Sequence, residues 1–340
     1  MDKVIDMQGG VAKPPEKGAG KSQICVCACT YQRPEGLAAL LEGVAQQRFS
    51  SLPRPSIHIV IADNEGSAEA RVICERFRER SGIPLTYVHE PQRGISHARN
   101  ACLDNIPPEC EFFAFIDDDE VPEPDWLERL VEAQQATSAD VVQGPAVPAF
   151  CREAPEWLVN GDFFGWPRRN WRGTRTQLEE HQELPEAYTN NVLVRRSCVS
   201  DIGLRFDPAF ALAGSEDAAF FRALHASGAR IVYAPRAVVT ELVPPERATL
   251  WYRLKLEYRI GISPLSVNLK KSKTKKPLRR LTYAWRDSGL GKIVWGLAGL
   301  PLAVLIGRTR MDGTTVCLLR IAFGAGQCAR RLGLTYYIYR

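Results

Sequence analysis

The stretch Phe112-Phe113-Ala114-Phe115-Ile116-Asp117-Asp118-Asp119-Glu120 decides how this chain folds and where its chemistry lies. Five apolar residues bounded by charge have the length and composition of a strand buried on both faces. Four consecutive acids then leave one end of that strand. Acids so placed repel one another, and a strand end tolerates them when they are solvated or neutralised by a cation. Two readings stand at this point: a solvated acidic turn, or a site for a hard divalent cation that takes carboxylate, phosphate and water oxygens together.

Outward from this stretch the same pattern recurs. Ile24-Cys25-Val26-Cys27-Ala28-Cys29 is a buried strand ending in Thr30-Tyr31-Gln32-Arg33-Pro34. Leu37, Leu40, Leu41 and Val44 follow at helical spacing. A second strand, Ile57–Ala62, ends at Asp63-Asn64, with a helix over 68–80, a third strand over 85–89 and a helix from Ser96 after it. Downstream, 128–135 reads as helix, 141–144 and 189–194 as strands, 150–188 as an irregular aromatic-rich stretch, 210–217 as a loop entering a helix, and 231–233 as a further strand. Strands alternating with helices at this spacing specify an α/β fold with a mainly parallel central sheet and helices on both faces. In such sheets ligands bind beyond the carboxyl ends of the strands, where Thr30–Arg33, Asp63-Asn64 and Asp117–Glu120 converge.

The whole chain of 340 residues carries a net charge of +5, with 45% apolar and 24% charged residues, an ordinary globular composition. That mild excess does not argue for nucleic acid. The ten cysteines show no C-x-x-C spacing, and Met1–Lys21 is polar with no apolar core, so the expected compartment is a reducing cytoplasm. Cys25, Cys27 and Cys29 alternate and would share one strand face as small apolar fillers.

Several residues are candidates for chemistry. In Arg93-Gly94-Ile95-Ser96-His97-Ala98-Arg99-Asn100, a glycine at a helix start beside arginine admits a phosphate. Asp63 reads either as an Asx turn or as an acceptor for a base N–H. Glu216-Asp217, after Ala213-Gly214-Ser215, reads either as acids complementing a helix dipole or as a general base for a hydroxyl nucleophile.

Taken in order, Thr30–Pro34, Asp63, Arg93-Gly94 with Ala98-Arg99-Asn100, Asp117-Asp118-Asp119 and Gly214-Ser215-Glu216-Asp217 resemble the motifs of glycosyltransferase family 2, over about residues 23–240. The resemblance implies a GT-A nucleotide-sugar-binding fold and an inverting, metal-dependent transfer from a nucleotide-sugar, here a UDP-sugar, to an acceptor hydroxyl. Within the family the chain looks most like the bacterial exopolysaccharide enzymes of succinoglycan-glucosyltransferase type. It implies roles for single residues. Thr30 and Tyr31 would line the nucleoside pocket, with Arg33 near the diphosphate. Asp63 would meet the uracil and Arg93 the phosphates. Asp117 and Asp119 would hold Mg2+ or Mn2+, with Asp117 and Asp118 facing nucleotide-sugar and Asn190 beside the donor sugar. Asp217 would be the catalytic base, with Glu216 shaping the acceptor site. The Q-x-x-R-W motif of processive members is missing, which favours transfer of one sugar.

The composition shifts after residue 246. Lys270, Lys271, Lys273, Lys275, Lys276, Arg279, Arg280 and Arg286 form a basic block, and Ile293–Ile306 and Thr314–Phe323 are apolar. A spanning helix needs about 20 apolar residues, so an interfacial segment fits better than a span. The expected organisation is a flexible tail over 1–22, a GT-A domain over 23–245, and a helical membrane-associating extension over 246–340. It would sit at the inner face of the cell membrane and take a lipid-linked saccharide as acceptor. Two rivals remain: a sugar-nucleotide nucleotidyltransferase, for which Thr30–Pro34 lacks the glycines, and a non-catalytic assembly component, which has no need of the acids.

Overall fold

The computed structural model describes residues 23–334 apart from 67, 153, 162, 168–177, 212–213, 264, 266–287 and 307–311. The 1–22 tail, the basic block and Trp171 lie outside the described residues. Strands β1 (Gln23–Thr30), β2 (Ser56–Asp63), β3 (Leu85–His89) and β4 (Phe112–Ile116) run parallel. With β6 (Val141–Gln143), β8 (Asn191–Arg195) and β9 (Ile231–Tyr233) they make a seven-stranded sheet in the order β3-β2-β1-β4-β8-β6-β9. β8 is antiparallel to both neighbours, β4 and β6.

Each strand of the parallel half divides its side chains between two layers. Ile24, Val26 and Ala28 meet α1 (Pro34–Ala45), α2 (Ala68–Ser81) and α4 (Trp126–Thr137). Cys25 and Cys27, fully buried, meet α3 (Ile95–Asp104), with α6 (Arg196–Ser200) and α7 (Glu216–Ala226) in the same layer. The cysteines are core fillers, and all ten are free thiols. Burial on both sides is what a parallel sheet requires, because its crossover helices cover both faces.

A second sheet escapes sequence periodicity. Short strands β5 (Glu120–Pro122), β10 (Val239–Val243) and β7 (Ala146–Phe150) pair in that order. Ala146–Phe150 thus falls partly in a stretch expected to be irregular; three to five residues are too few to show a period of two. The aromatic segment divides. Leu158 in α5 (Glu156–Val159), Phe163 and Phe164 are buried with Val243 and Leu319, whereas Trp166 packs its ring against Tyr188 and Tyr233. Three further helices, α8 (Leu250–Ile262), α9 (Gly289–Ile306) and α10 (Asp312–Arg331), pack together, and Leu319 of α10 joins the aromatic segment to them. No helix among the described residues is long and apolar enough to cross a membrane.

Asn191 ties the layers together. Its amide donates to the carbonyls of Pro145 at 2.8 Å and Ala237 at 2.7 Å, and its oxygen accepts from the Trp126 indole at 2.7 Å, all out of solvent. Asn191→Ala leaves the Ala237 carbonyl and the Trp126 indole without that partner, while the Pro145 carbonyl keeps the Val239 amide at 3.1 Å, and is expected to lower stability by about 3 kcal/mol in urea titration; each orphaned buried group costs ~1–3 kcal/mol.

Candidate active site

A cleft of about 1090 Å³ opens beyond the carboxyl ends of β1, β2 and β4, large enough for two ligands side by side. The four acids that leave β4 divide their work. Asp118 turns inward: it accepts from the Thr30 hydroxyl at 2.9 Å and from Arg33 Nη1 at 2.7 Å. Glu120 is buried in β5, accepting from the Asp117 amide at 3.1 Å and from the Asn190 amide at 3.3 Å. Burial, with Asp117 and Asp119 beside it, pushes its carboxyl well above the usual range. Asp117 and Asp119 are the more exposed to the cleft. Asp119 Oδ2 is met by Arg33 at 3.0 Å and by Arg247 at 2.6 Å, while Leu242 of β10 holds its carbonyl at 2.8 Å.

Arg99 joins the two sides of the cleft. Its guanidinium, 6% exposed, pairs closely with Glu216 and reaches Asp117 at 3.5 Å, and it lies over the Phe206 ring. Burial raises the Asp117 carboxyl to about 7; Arg99 opposes that rise, and Asp119 and Asp118 add to it. Glu216 is likewise pushed upward, first by burial, against the pull of Arg99. Asp217 stands beside it at the start of α7, lining the cleft, with one oxygen on the Ala218 amide at 2.7 Å. Gly214 and Ser215 both take left-handed backbone, φ +77° and +73°, and this turn aims the start of α7 at the acids of β4.

The other expected residues fall as follows. Thr30, Tyr31, Arg33, Arg93 and Asn190 line the cleft. Arg93 is exposed and lies over the Tyr31 ring at 5.6 Å. Asp63 lies behind the wall, 1% exposed, accepting from the Tyr87 hydroxyl at 2.7 Å and the Glu65 amide at 2.9 Å; its neighbour Asn64 lines the cleft instead. Asn64 and Gly94 explain the Arg-Gly segment. The Gly94 amide donates to Asn64 at 2.7 Å, and a Cβ there would stand 2.6 Å from Ala211.

Sequence reasoning missed Arg247 and the wall made by α8, and it assigned Arg99 no role. Arg99 carried a signal: it sits among Ala98, Ala101 and Cys102 on the buried face of α3, where a charge needs a partner. Arg247 carried none, because it meets Asp119 across 128 residues of chain.

An all-oxygen donor set fits a hard cation rather than a soft one. Asp117 and Asp119 offer carboxylates, and elsewhere in the cleft lining Asn190 Oδ1 and Glu216 Oε2 are buried acceptors with no hydrogen bond. Among the described residues no group of three or more histidine, cysteine or acidic side chains converges on one point. The residues therefore fit an ion that completes its shell from diphosphate and water.

Comparison with known proteins agrees with this geometry. The family model "Glycosyl transferase family 2" matches residues 25–203. Succinoglycan biosynthesis protein ExoM of Rhizobium meliloti (strain 1021) is 37% identical over 238 residues, 70% of this chain and 72% of that protein. Glucosyl-dolichyl phosphate glucuronosyltransferase of Haloferax volcanii is 26% identical over 54% of this chain and 55% of that protein. Among solved structures, mannosyltransferase PcManGT from Pyrobaculum calidifontis, in complex with GDP-Man and Mn2+, superposes with TM-score 0.61 at 19% identity over 91% of this chain and 88% of that one. S. aureus TarS 1–349 in complex with UDP gives TM-score 0.50 at 15% identity over 92% and 93%. At such identities the likeness speaks to the fold, which is the expected GT-A architecture.

The raised Asp117 carboxyl has a consequence for stability. An unfolded aspartate releases its proton near pH 4, whereas folded Asp117 holds it to about 7. The folded protein therefore binds the extra proton between those values, and this site weakens the fold as pH rises through that window. Asp117→Asn is expected to raise the melting temperature relative to wild type at pH 8 in EDTA and to leave it nearly unchanged at pH 4. An equal difference at both pH values in scanning fluorimetry would contradict the assignment.

Proposed function

The chain belongs to glycosyl transferase family 2, and from that premise we propose that it is an inverting, cation-dependent transferase of bacterial exopolysaccharide synthesis, moving one sugar from a UDP-sugar to the hydroxyl of a lipid-linked saccharide. The observation that carries this reading is the single cleft with Asp117 and Asp119 on one wall, Asp217 on the other, and Arg99 between.

The nucleoside would lie against Thr30 and Tyr31, with Asp63 buried behind them and bracing that wall through Tyr87. Arg33, Arg93 and Arg247 would surround the diphosphate, and Asp118 would hold Arg33 at the correct angle. Asp119 and Asp117 would hold Mg2+ or Mn2+, whose double charge, when bound, stabilises the departing nucleoside diphosphate. Asn190 would meet the donor sugar. The acceptor oxygen attacks the anomeric carbon from the face opposite the diphosphate, the bond to the phosphate oxygen breaks, and Asp217 takes the hydroxyl proton. Glu216 is a positioning residue, since Arg99 occupies one of its oxygens. Arg33 and Arg247 neutralise Asp119 before substrate arrives and are available to the growing phosphate charge afterwards.

Attachment to the inner face of the membrane is supported by α9. Leu290, Val294, Leu297, Leu302 and Leu305 are 50–77% exposed, whereas the one charged residue of the helix, Lys292, is buried against Gln327. An apolar stripe with no charge on it suits the headgroup boundary of a bilayer, and the basic block that precedes it in sequence suits anionic lipid.

Two experiments test these statements. A panel of UDP- and GDP-sugars with Mn2+ or Mg2+ is expected to show cation-dependent release of one nucleoside diphosphate, reduced by about 100-fold or more in Asp119→Ala, the lower end of the range for losing one group that stabilises developing charge. Asp217→Asn should lower transfer to acceptor far more than it lowers nucleotide binding. On vesicles of phosphatidylethanolamine and phosphatidylglycerol, Val294→Glu with Leu297→Glu should abolish sedimentation with lipid; unchanged sedimentation would remove α9 as the contact.

A further inference from the structure

One face of α8 lines the cleft, and the two cations it brings there make no ion pair. Arg33, Arg99, Arg222 and Arg247 each pair with an acid in the cleft. Lys255 and Arg259, one turn apart on α8, line the same cleft without an ion pair. Lys255 lies over the Trp251 ring at 5.2 Å. The half-buried Arg259 guanidinium makes no hydrogen bond among the described residues, and its charge pulls the Glu216 carboxyl downward against the rise that burial causes. A half-buried cation without a partner is costly unless an anion arrives.

The next residue after each cation is apolar and also lines the cleft: Leu256 after Lys255, Ile260 after Arg259. Leu265 and Phe323, the latter from α10, extend this lane into the helical module, away from the nucleotide wall. A cationic pair opening onto an apolar lane matches a molecule with an anionic head and a hydrocarbon chain. A nucleotide-sugar has no such chain, and its diphosphate already has Arg33, Arg93 and Arg247 elsewhere in the cleft lining.

We propose that Lys255 and Arg259 bind the phosphate of a lipid-phosphate-linked acceptor, whose chain leaves along Leu256, Ile260, Leu265 and Phe323. This rests on the glycosyltransferase reading of the same cleft and adds to it the head group, the exit and a size limit. Lys255, Arg259 and Asp217 line one cleft, so the reacting hydroxyl belongs to a sugar near the lipid phosphate.

Calorimetry with UDP, GDP, inorganic pyrophosphate and farnesyl diphosphate separates the sources of the anion. Wild type is expected to bind farnesyl diphosphate at least tenfold more tightly than pyrophosphate. Lys255→Gln with Arg259→Gln should weaken farnesyl diphosphate at least tenfold relative to the nucleoside diphosphate, and Arg259→Lys should recover part of the loss. Equal affinity for farnesyl diphosphate and pyrophosphate would overturn the lipid lane. A parallel loss of nucleoside diphosphate would overturn the assignment in favour of the donor, and no loss of either would leave the two cations idle and overturn it as well. Wild type that binds farnesyl diphosphate as expected but neither UDP nor GDP would overturn the donor reading of the cleft, and with it the proposal.

Discussion

One buried guanidinium holds the two halves of the cleft together. Arg99 stands between Asp117 at the end of β4 and Glu216 at the start of α7, and those acids could not share a desolvated site without it. Breaking a buried pair by removing one partner costs ~3–5 kcal/mol, because the other charge is left uncompensated. The position of Arg99 depends in turn on the start of α3, where Gly94 comes so close to Ala211 that a Cβ would collide. Asn64 at the end of β2 completes the arrangement through the Gly94 amide. Three loops that are distant in sequence are thereby held at fixed separation around the space a donor and an acceptor would occupy.

The acid run shows how a single strand end supports several tasks. Asp118 is bound by Thr30 and Arg33 and ties β4 to β1. Glu120 is buried, bracing the Asp117 amide and Asn190. All four border the cleft, but the alternate residues Asp117 and Asp119 are the more exposed to it, and Asp118 and Glu120 are the more buried. The second sheet contributes as well, since β10 fixes the Asp119 carbonyl and leads directly into Arg247 and α8. The helices after residue 246 are accordingly part of the cleft wall as well as the carriers of an apolar outer face.

Much of this was legible in the chain itself. The apolar runs at 24–29, 57–62 and 112–116 are strands because each is short, uninterrupted and followed by polar residues. The helices between them follow from apolar spacing, and the strand ends put Thr30, Arg33, Asp117 and Asp119 at one edge of the sheet. Those features are local: they depend on neighbours a few residues away, where periodicity and composition have force. Tertiary structure alone decided which of four equivalent-looking acids are the more exposed to the cleft, that Asp63 is sealed behind Tyr87, and that Phe163 and Phe164 are core while Trp166 lines the site. It also brought Arg247 to Asp119 and set Lys255 and Arg259 in the same cleft as the β4 acids. Burial and ion pairing are set by residues 70–130 positions away, and no local pattern encodes which of them will meet.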